Sequence, residues 1–579
     1  MASSITSSLA AFNPFTKSKG KQDPEDKGDT IGSDSVAGGG HASRETAITK
    51  QGLRVSHALQ TYLVKEDLLP KGDADTTKTS PTLQKLLHKP HVQLPAEVTD
   101  RSHALSEYYI SSSHNTYLTA HQLYGDAAAN AYKIALDTGS RCVEIDAWDD
   151  SDNPDEPKVT HGFTLASNIS FRSVCKTIRD VVDREAAESK DVAGYQAAPV
   201  MISLENHCDT HGQMRLARIM REVWGDRLLS KPVRDQARAE QDGSDNHVTL
   251  KALGSKIAVM VEYHFPDEPE SSSSSESEDD DETAKRAHAE YKEKKKAAPS
   301  AGIIPELAEL GVYAQSVKPR DKSWLEGDLE GGPHHHLINV SESGLGSLMP
   351  ASSAKISRHN ARHLMRVYPK GTRISSHNLN PVPFWAVGAQ VCALNWQTFD
   401  ASMQLNEALF AGSDGYVLKP APLRMGGSGV LDSGRKRKLR LHVAGASEIP
   451  LPEGREADEI LPYVTCTLVH PDNLEDDPPK RKTEPYKQKK ISFLHRGENP
   501  PANDPVWDEV LEWEYEENEM AFLRILIKSD DRFARNPVLV VAAVRLAFVA
   551  EGWSFIRMLD LGGRETYCSL LVRFEHLGA

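Results

Sequence analysis

Short apolar runs alternate with longer helix-like stretches from Tyr108 to Pro266, and this rhythm constrains the fold more than any other feature of the chain. The runs "YYI", "RCVEIDAW", "KVTHGF", "PVMISLE" and "KIAVMVEY" read as strands, and their spacing is that of parallel β/α units. The rhythm breaks at "SSSSSESEDDDE" and the Lys-rich "KRAHAEYKEKKKAAPS", then resumes in "GVYAQSV", "HLINVSES", "LMRVYP", "VCALNWQT" and "GYVLKP". A low-complexity stretch of this kind buries no core. Residues 267–301 therefore read as a flexible insertion into one barrel, whose halves occupy 101–266 and 302–424. Eight or so β/α units close a split TIM-type (β/α)8 barrel.

A chain of 579 residues is too long for one hydrophobic core. After the Gly-rich "RMGGSGVLDSG", short strands follow one another without helices between them, which predicts a C-terminal antiparallel β-sandwich over 436–579. At the other end, residues 1–44 have the composition of a disordered tail. Helical spacing in "LRVSHALQTYLVKEDLL" and "TLQKLL" predicts an N-terminal helical segment over 45–100, expected to brace the domain that follows it. The fold class is thus α/β, with the sandwich appended.

Composition excludes several functions. No apolar run approaches the roughly 20 residues of a membrane-spanning helix, and no signal-peptide pattern opens the chain. Six cysteines lie far apart with no CxxC pair, so neither a disulfide framework nor a zinc site is suggested, and a reducing cytoplasm fits. A formal net charge of -15 argues against nucleic acid as a partner. Part of that charge is concentrated between Glu276 and Glu282.

Polar residues cluster beyond the first barrel-type strands: His114 and Asn115, Glu144 and Asp146, His161, and Glu205. That rim is where barrel enzymes build active sites. Glu144 and Asp146 are two apart, so a strand points both to one face. Three carboxylates and the Asn115 carbonyl make an all-oxygen set suited to a hard cation, and Ca²⁺ tolerates irregular geometry better than Mg²⁺. Two histidines beside such an ion suggest phosphoryl chemistry, with His161 protonating a leaving oxygen. Singly, each of these residues reads equally as a solvated cap; together at one end of consecutive strands they read as a shared site.

The segments "SSSHNTYL", "VEIDAWD", "HGFTLASNISF" and "SLENHC" closely resemble the X half of the eukaryotic phosphoinositide-specific phospholipases C. "LGVYAQSV", "RVYPKGTRISSHNLNPVPFWAVGAQVCALNWQT" and "GYVLKP" resemble the Y half, and the C-terminal strands resemble the family's C2 domain. The resemblance implies Asn115, Glu144, Asp146 and Glu205 as Ca²⁺ ligands, His114 as stabiliser of the phosphorane, and His161 as general acid. It implies attack of the inositol 2-hydroxyl on the 1-phosphate with Glu205 or Glu144 as base, giving diacylglycerol and a cyclic phosphate that water opens. Arg366, Tyr368 and Asn339 fall at headgroup positions. The implied partners are phosphoinositide lipids and the membrane surface, with the enzyme cytoplasmic and peripheral; the sequence names no regulatory protein.

Departures from the family pattern bear on substrate. Met260 and Glu262 stand where phosphate-binding lysines are expected, Asn339 stands where a Ser is common, and Thr372 replaces a Trp on an apolar rim that otherwise keeps Leu123, Phe163 and Leu165. In the C2-like part Asp504, Asp530 and Asp531 remain, but Leu461 replaces a calcium-ligating Asp. The helical segment resembles a reduced EF-hand region, because "GDADTTKTSPTL" lacks the Gly and terminal Glu of a calcium loop, and too little chain precedes it for a PH domain. A catalytically weak relative that binds lipid or partners is the alternative to the enzyme, and a metal-dependent glycerophosphodiesterase on a similar barrel is a second.

Overall fold

The computed structural model describes residues 52–73, 79–119, 127–160, 168–191, 197–233, 247–265, 302–326, 329, 331–370, 377–472, 478–488, 499–530 and 537–578. Expectations for residues 1–44 and 267–301, and for Leu123, His161, Phe163, Leu165, Thr372 and Asp531, fall outside this set.

The first half of the chain supplies β1 (Tyr108–Ile110), β2 (Cys142–Trp148), β3 (Lys158–Val159), β4 (Ile169–Ser170), β5 (Val200–His207) and β6 (Ile257–Glu262). The second half supplies β7 (Gln315–Val317), β8 (His336–Ser341), β9 (Leu364–Tyr368), β10 (Val391–Cys392) and β11 (Tyr416–Leu418). Strands β2, β5, β6, β7, β8, β9, β10 and β1 pair in that order, all parallel. A parallel bridge from Ser112 to Cys142 closes the ring. Alternation along each strand makes two cores: Val143, Ile145, Ile202 and Val259 face the outer helices, while Cys142, Met201, Ala258 and Leu337 fill the barrel.

Two runs expected as barrel strands lie outside the ring. "KVTHGF" contributes only β3, which folds back antiparallel on β2 because the Asp- and Pro-rich "DDSDNPDEP" makes a turn rather than a helix. "GYVLKP" becomes β11, antiparallel to β1. Gly415, at φ 89°, makes that reversal, where a Cβ would lie 2.5 Å from the Gly139 carbonyl oxygen.

The helical segment holds α1 (His57–Lys65) and α2 (Pro81–Leu87), each N-capped by a serine hydroxyl, Ser56 and Ser80. Contrary to expectation, these helices brace the C-terminal sandwich and not the barrel. Leu59, Leu63 and Leu83 pack on Trp553, Phe555 and Leu571, and the Tyr62 hydroxyl donates to Asp508 at 2.9 Å. An amphipathic stripe specifies that a helix packs, but not on what.

Helices α3 (Ala129–Asp137), α4 (Phe171–Asp191), α5 (Thr210–Trp224), α6 (Ser353–Arg362) and α7 (Ala401–Phe410) belong to the barrel. The sandwich follows with β12 (Lys436–Ser447), β13 (Pro462–Val469), β14 (Lys480–Lys482), β15 (Val506–Glu516), β16 (Phe522–Ser529), β17 (Val538–Arg545), β18 (Gly552–Leu559) and β19 (Glu565–Gly578). All its pairings are antiparallel, in the order β14-β13-β16-β17-β18-β19-β12-β15, and β17 meets β18 at a single pair, Val541 with Leu559. It docks on α7, where Arg524 donates to Gln404 Oε1 at 2.6 Å. Among the described residues no helix is long and apolar enough to cross a membrane.

Candidate active site

Parallel pairing of β2 with β5 sets Asp146 directly beside Glu205 and Glu144 beside Ser203. Since all four share the inward parity, three carboxylates converge at the C-terminal end of the barrel, with one oxygen of each within 4.8 Å of the others. Glu144 and Asp146 are 1% and 7% exposed, and Glu205 is only partly buried.

The loop after β1 completes this corner. Asn115 takes a left-handed backbone conformation (φ 46°), which Asn tolerates better than most residues. Its N–H donates to Glu144 Oε2 at 2.8 Å. The Tyr117 hydroxyl lies 2.6 Å from Asp146 Oδ2 and 3.1 Å from Asn115 Oδ1, tying two expected ligands together. From the loop after the neighbouring strand β10, Gln397 Nε2 donates to the Asn115 carbonyl at 3.2 Å.

His114 Nδ1 lies 2.7 Å from Asn395 Oδ1, an acceptor, so Nδ1 carries the proton and Nε2 turns toward Glu144, 4.0 Å away. Burial, followed by the Arg366 charge, lowers the His114 pKa to about 4. The resting imidazole is neutral. Burial holds the Asp146 carboxyl well above the ordinary carboxylate range, and the charges of Glu205 and Glu144 add to it. Glu205 is raised as well, again by burial first and Glu144 second.

Arg366 balances part of this charge. It is 2% exposed and donates to Glu144 Oε1 at 2.6 Å and to Asn339 Oδ1 at 3.2 Å, with Glu205 at 3.9 Å. Its guanidinium stands 5.7 Å from the Tyr368 ring centre. The three residues expected at headgroup positions thus share one inward face on β8 and β9, with Arg366 turned toward the acids.

Asp146 Oδ1 is buried with no hydrogen-bond partner among the described residues, although two other carboxylates and the Arg366 guanidinium lie near it. An all-oxygen cluster with an orphaned carboxylate oxygen fits a hard divalent cation. In the sandwich, Asp504 accepts from the Glu448 N–H at 2.8 Å, and among the described residues no three acid, His or Cys groups of the sandwich converge on one point.

Sequence reasoning found the acids and His114 but missed the residues that hold them: Tyr117, Asn395 and Gln397. A signal existed, since Tyr117 lies two positions after Asn115 and the other two follow β10 on the same rim. Met260 lies in the barrel interior at 2% exposure, and Glu262 sits one layer higher, partly exposed and 3.7 Å from His264 Nε2.

A split parallel barrel with an acid cluster at its C-terminal rim, followed by an eight-stranded antiparallel sandwich, defines a two-part class of α/β scaffold. Residues 101–263 match the family "Phosphatidylinositol-specific phospholipase C, X domain", residues 307–422 the corresponding Y domain, and residues 437–554 the C2 domain. The chain belongs to the eukaryotic phosphoinositide phospholipase C family. It is 31% identical to the mouse 1-phosphatidylinositol 4,5-bisphosphate phosphodiesterase delta-3 over 80% of this chain and 55% of that one. It is 28% identical to the Candida albicans 1-phosphatidylinositol 4,5-bisphosphate phosphodiesterase 1 over 82% of this chain and 47% of that one. The chain thus spans about half the length of these relatives. The crystal structure of L. pealei PLC21 superposes with a TM-score of 0.64 at 25% identity, covering 84% of this chain and 58% of that one.

Proposed function

We propose that this chain is a Ca²⁺-dependent phosphodiesterase that cleaves membrane phosphoinositides to diacylglycerol and inositol phosphates through a cyclic phosphate. The observation that carries the reading is the convergence of Glu144, Asp146 and Glu205 around an orphaned carboxylate oxygen, with His114 beside them. Asn115, Glu144, Asp146 and Glu205 would hold the ion. Bound there, Ca²⁺ would lower the pKa of an inositol hydroxyl and offset the phosphate charge.

The chain's own residues supply the rest. Glu205, the most accessible of the acids and raised in pKa, is suited to accept the proton of the attacking hydroxyl. His114 donates to a phosphoryl oxygen only as the imidazolium; burial opposes that form, whereas Glu205 and an arriving phosphate favour it. His161 protonates the departing glycerol oxygen in this scheme. Asn339, Arg366 and Tyr368 form the wall on which the inositol ring is received. The enzyme works at the membrane surface, and the names of the relatives support phosphoinositides as the lipid class.

The test is turnover of phosphatidylinositol, its 4-phosphate and its 4,5-bisphosphate in mixed micelles across buffered Ca²⁺. Turnover should require the ion, and His114→Ala and His161→Ala should each lose roughly 10²-fold or more. A folded variant with near-normal turnover overturns that histidine's role. A wild-type chain that binds lipid without turnover overturns the activity.

A further inference from the structure

The rim beside the acid cluster carries two opposite charges that the proposed chemistry does not use. Ala258 and Met260 fill the barrel interior, so Glu262, two residues past Met260, shares their inward face at the end of β6. Its partner on β7 is Ser316. Lys318 stands two residues beyond Ser316, directly past the end of that strand, so the same alternation returns it to the inward side, diagonal to Glu262. On the other flank Val317 pairs with Ile338, which sets Lys318 beside Asn339. From β6 to β9 the wall that receives the inositol ring therefore reads Glu262, Lys318, Asn339, Arg366 and Tyr368.

The two cations of this wall are committed differently. Arg366 is 2% exposed and directs its donors to Glu144 and to Asn339 Oδ1. Lys318 is exposed and has no hydrogen-bond or ion-pair partner among the described residues. Its charge still reaches Glu262. Burial pushes that carboxyl up, but His264, at 3.7 Å, and then Lys318 pull it below the ordinary value, so it is ionised. An ionised carboxylate only accepts hydrogen bonds, and an ammonium only donates them.

These two groups make opposite demands on neighbouring positions of one ring. A ring phosphate is an anion rich in acceptor oxygens, which suits Lys318 and is repelled by Glu262. A ring hydroxyl carries a proton that Glu262 can accept.

We propose, resting on the phosphodiesterase reading of this same site, that Lys318 and Glu262 are its specificity-determining pair and that it takes an inositol lipid with a single ring phosphate. Lys318 receives the phosphate, and Glu262 accepts from the free hydroxyl next to it. A second phosphate at that neighbouring position meets the carboxylate; a headgroup with none leaves the ammonium without its anion. Lys370, the next lysine around the rim, lies past Tyr368 on β9, with its backbone N–H on the Glu342 carboxylate at 2.9 Å and three strands from Glu262.

The test has two arms, both on the full chain with Ca²⁺. In mixed micelles, kcat/KM is compared for phosphatidylinositol, its 4-phosphate, its 5-phosphate and its 4,5-bisphosphate, and one of the two monophosphates should lead. Lys318→Met should lower the ratio of that monophosphate to phosphatidylinositol by roughly tenfold or more, the worth of one charge-assisted contact, and Lys318→Arg should keep most of it. Glu262→Gln should raise the ratio of bisphosphate to monophosphate several-fold. Lys318 is exposed and the Glu262 side chain is 31% exposed, so neither change opens the core. The second arm needs no turnover: calorimetric binding of the four deacylated headgroups should rank them in the same order. A chain that binds in that order without turnover overturns the activity and upholds the headgroup assignment. A wild-type preference for the bisphosphate or for phosphatidylinositol, ratios unmoved by Lys318→Met or moved only by Lys370→Met, or no headgroup binding in either arm overturns the assignment.

Discussion

Asp146 concentrates the conflict between stability and function at a single side chain. Its carboxyl is almost fully buried, one oxygen has no partner among the described residues, and its pKa is raised by burial and by two acidic neighbours. A group that binds its proton more tightly folded than unfolded contributes stability at low pH, and that contribution is lost as pH rises through the raised folded value. Without a cation, ionising Asp146 therefore strains the fold. Asp146→Asn should raise the melting temperature of the Ca²⁺-free protein at pH 7 while removing both turnover and the stabilisation by added Ca²⁺. A melting curve with and without chelator checks this; a lower Ca²⁺-free melting temperature counts against it. Glu262 poses a separate question at the same scale. Burial pushes its pKa up, but His264, Lys318 and His207 pull it below the ordinary value, so it is an anion at the rim. It would repel a headgroup phosphate. Glu262→Lys should then increase the preference for the 4,5-bisphosphate over phosphatidylinositol, by roughly tenfold or more for one charge-assisted contact. Met260→Lys adds less than its sequence position suggests, because the buried site beside Ser203 disfavours an ammonium.

The element that positions Glu205 is the turn from β5 into α5. Asp209 caps the helix by accepting from the Gly212 N–H at 2.8 Å, and Asp149, just after β2, accepts from the Asp209 N–H at 2.8 Å. The ends of the two acid-bearing strands are thereby tied together. Gly212 permits the approach, since a Cβ there would fall 2.0 Å from Asp149 Oδ1 and 2.7 Å from Cys208 Cβ. Gly212→Ala should cost about 1–3 kcal/mol of stability through overpacking, and weaken Ca²⁺ binding as the two strand ends part. Denaturant unfolding with Ca²⁺ titration measures both, and unchanged values would mean that the corner relaxes freely. This scale also separates what the sequence reveals from what it hides. Parity along "VEIDAW" and "VMISLE" announces which carboxylates face inward, because the strand period is two. Strand direction is not written in a short apolar run, so β3 and β11 could not be distinguished from barrel strands. Nor is partnership: the side chain of Arg366 is drawn to Glu144 by a contact 222 residues distant in the chain.

At the scale of the whole molecule, the insertion leaves from the C-terminal end of β6 and the chain returns at Gly302 before β7. In a parallel barrel that end of β6 belongs to the same rim as Glu205. The acidic run Glu276 to Glu282, tethered there, should be repelled by an anionic membrane and restrain the rim, against the pull of the Lys-rich stretch that follows it. Deleting Ser271 to Lys296 should raise turnover on anionic vesicles and leave turnover of a dispersed short-chain substrate unchanged. Equal vesicle rates would make the segment a passive tether.

The ring of strands carries a further consequence for the chain as a covalent object. Its two halves meet along two seams, β6 with β7 and β1 with β10 and β11, and α1 and α2 from the first half clasp the sandwich of the second. Cutting the peptide between the halves removes none of these contacts. A nicked molecule should remain whole, and two separately synthesised pieces, ending before and beginning after the insertion, should find each other and complement. The continuity of the backbone at that point should then be dispensable, leaving the insertion free to change length and composition, and to acquire control sequences, without endangering the fold around it.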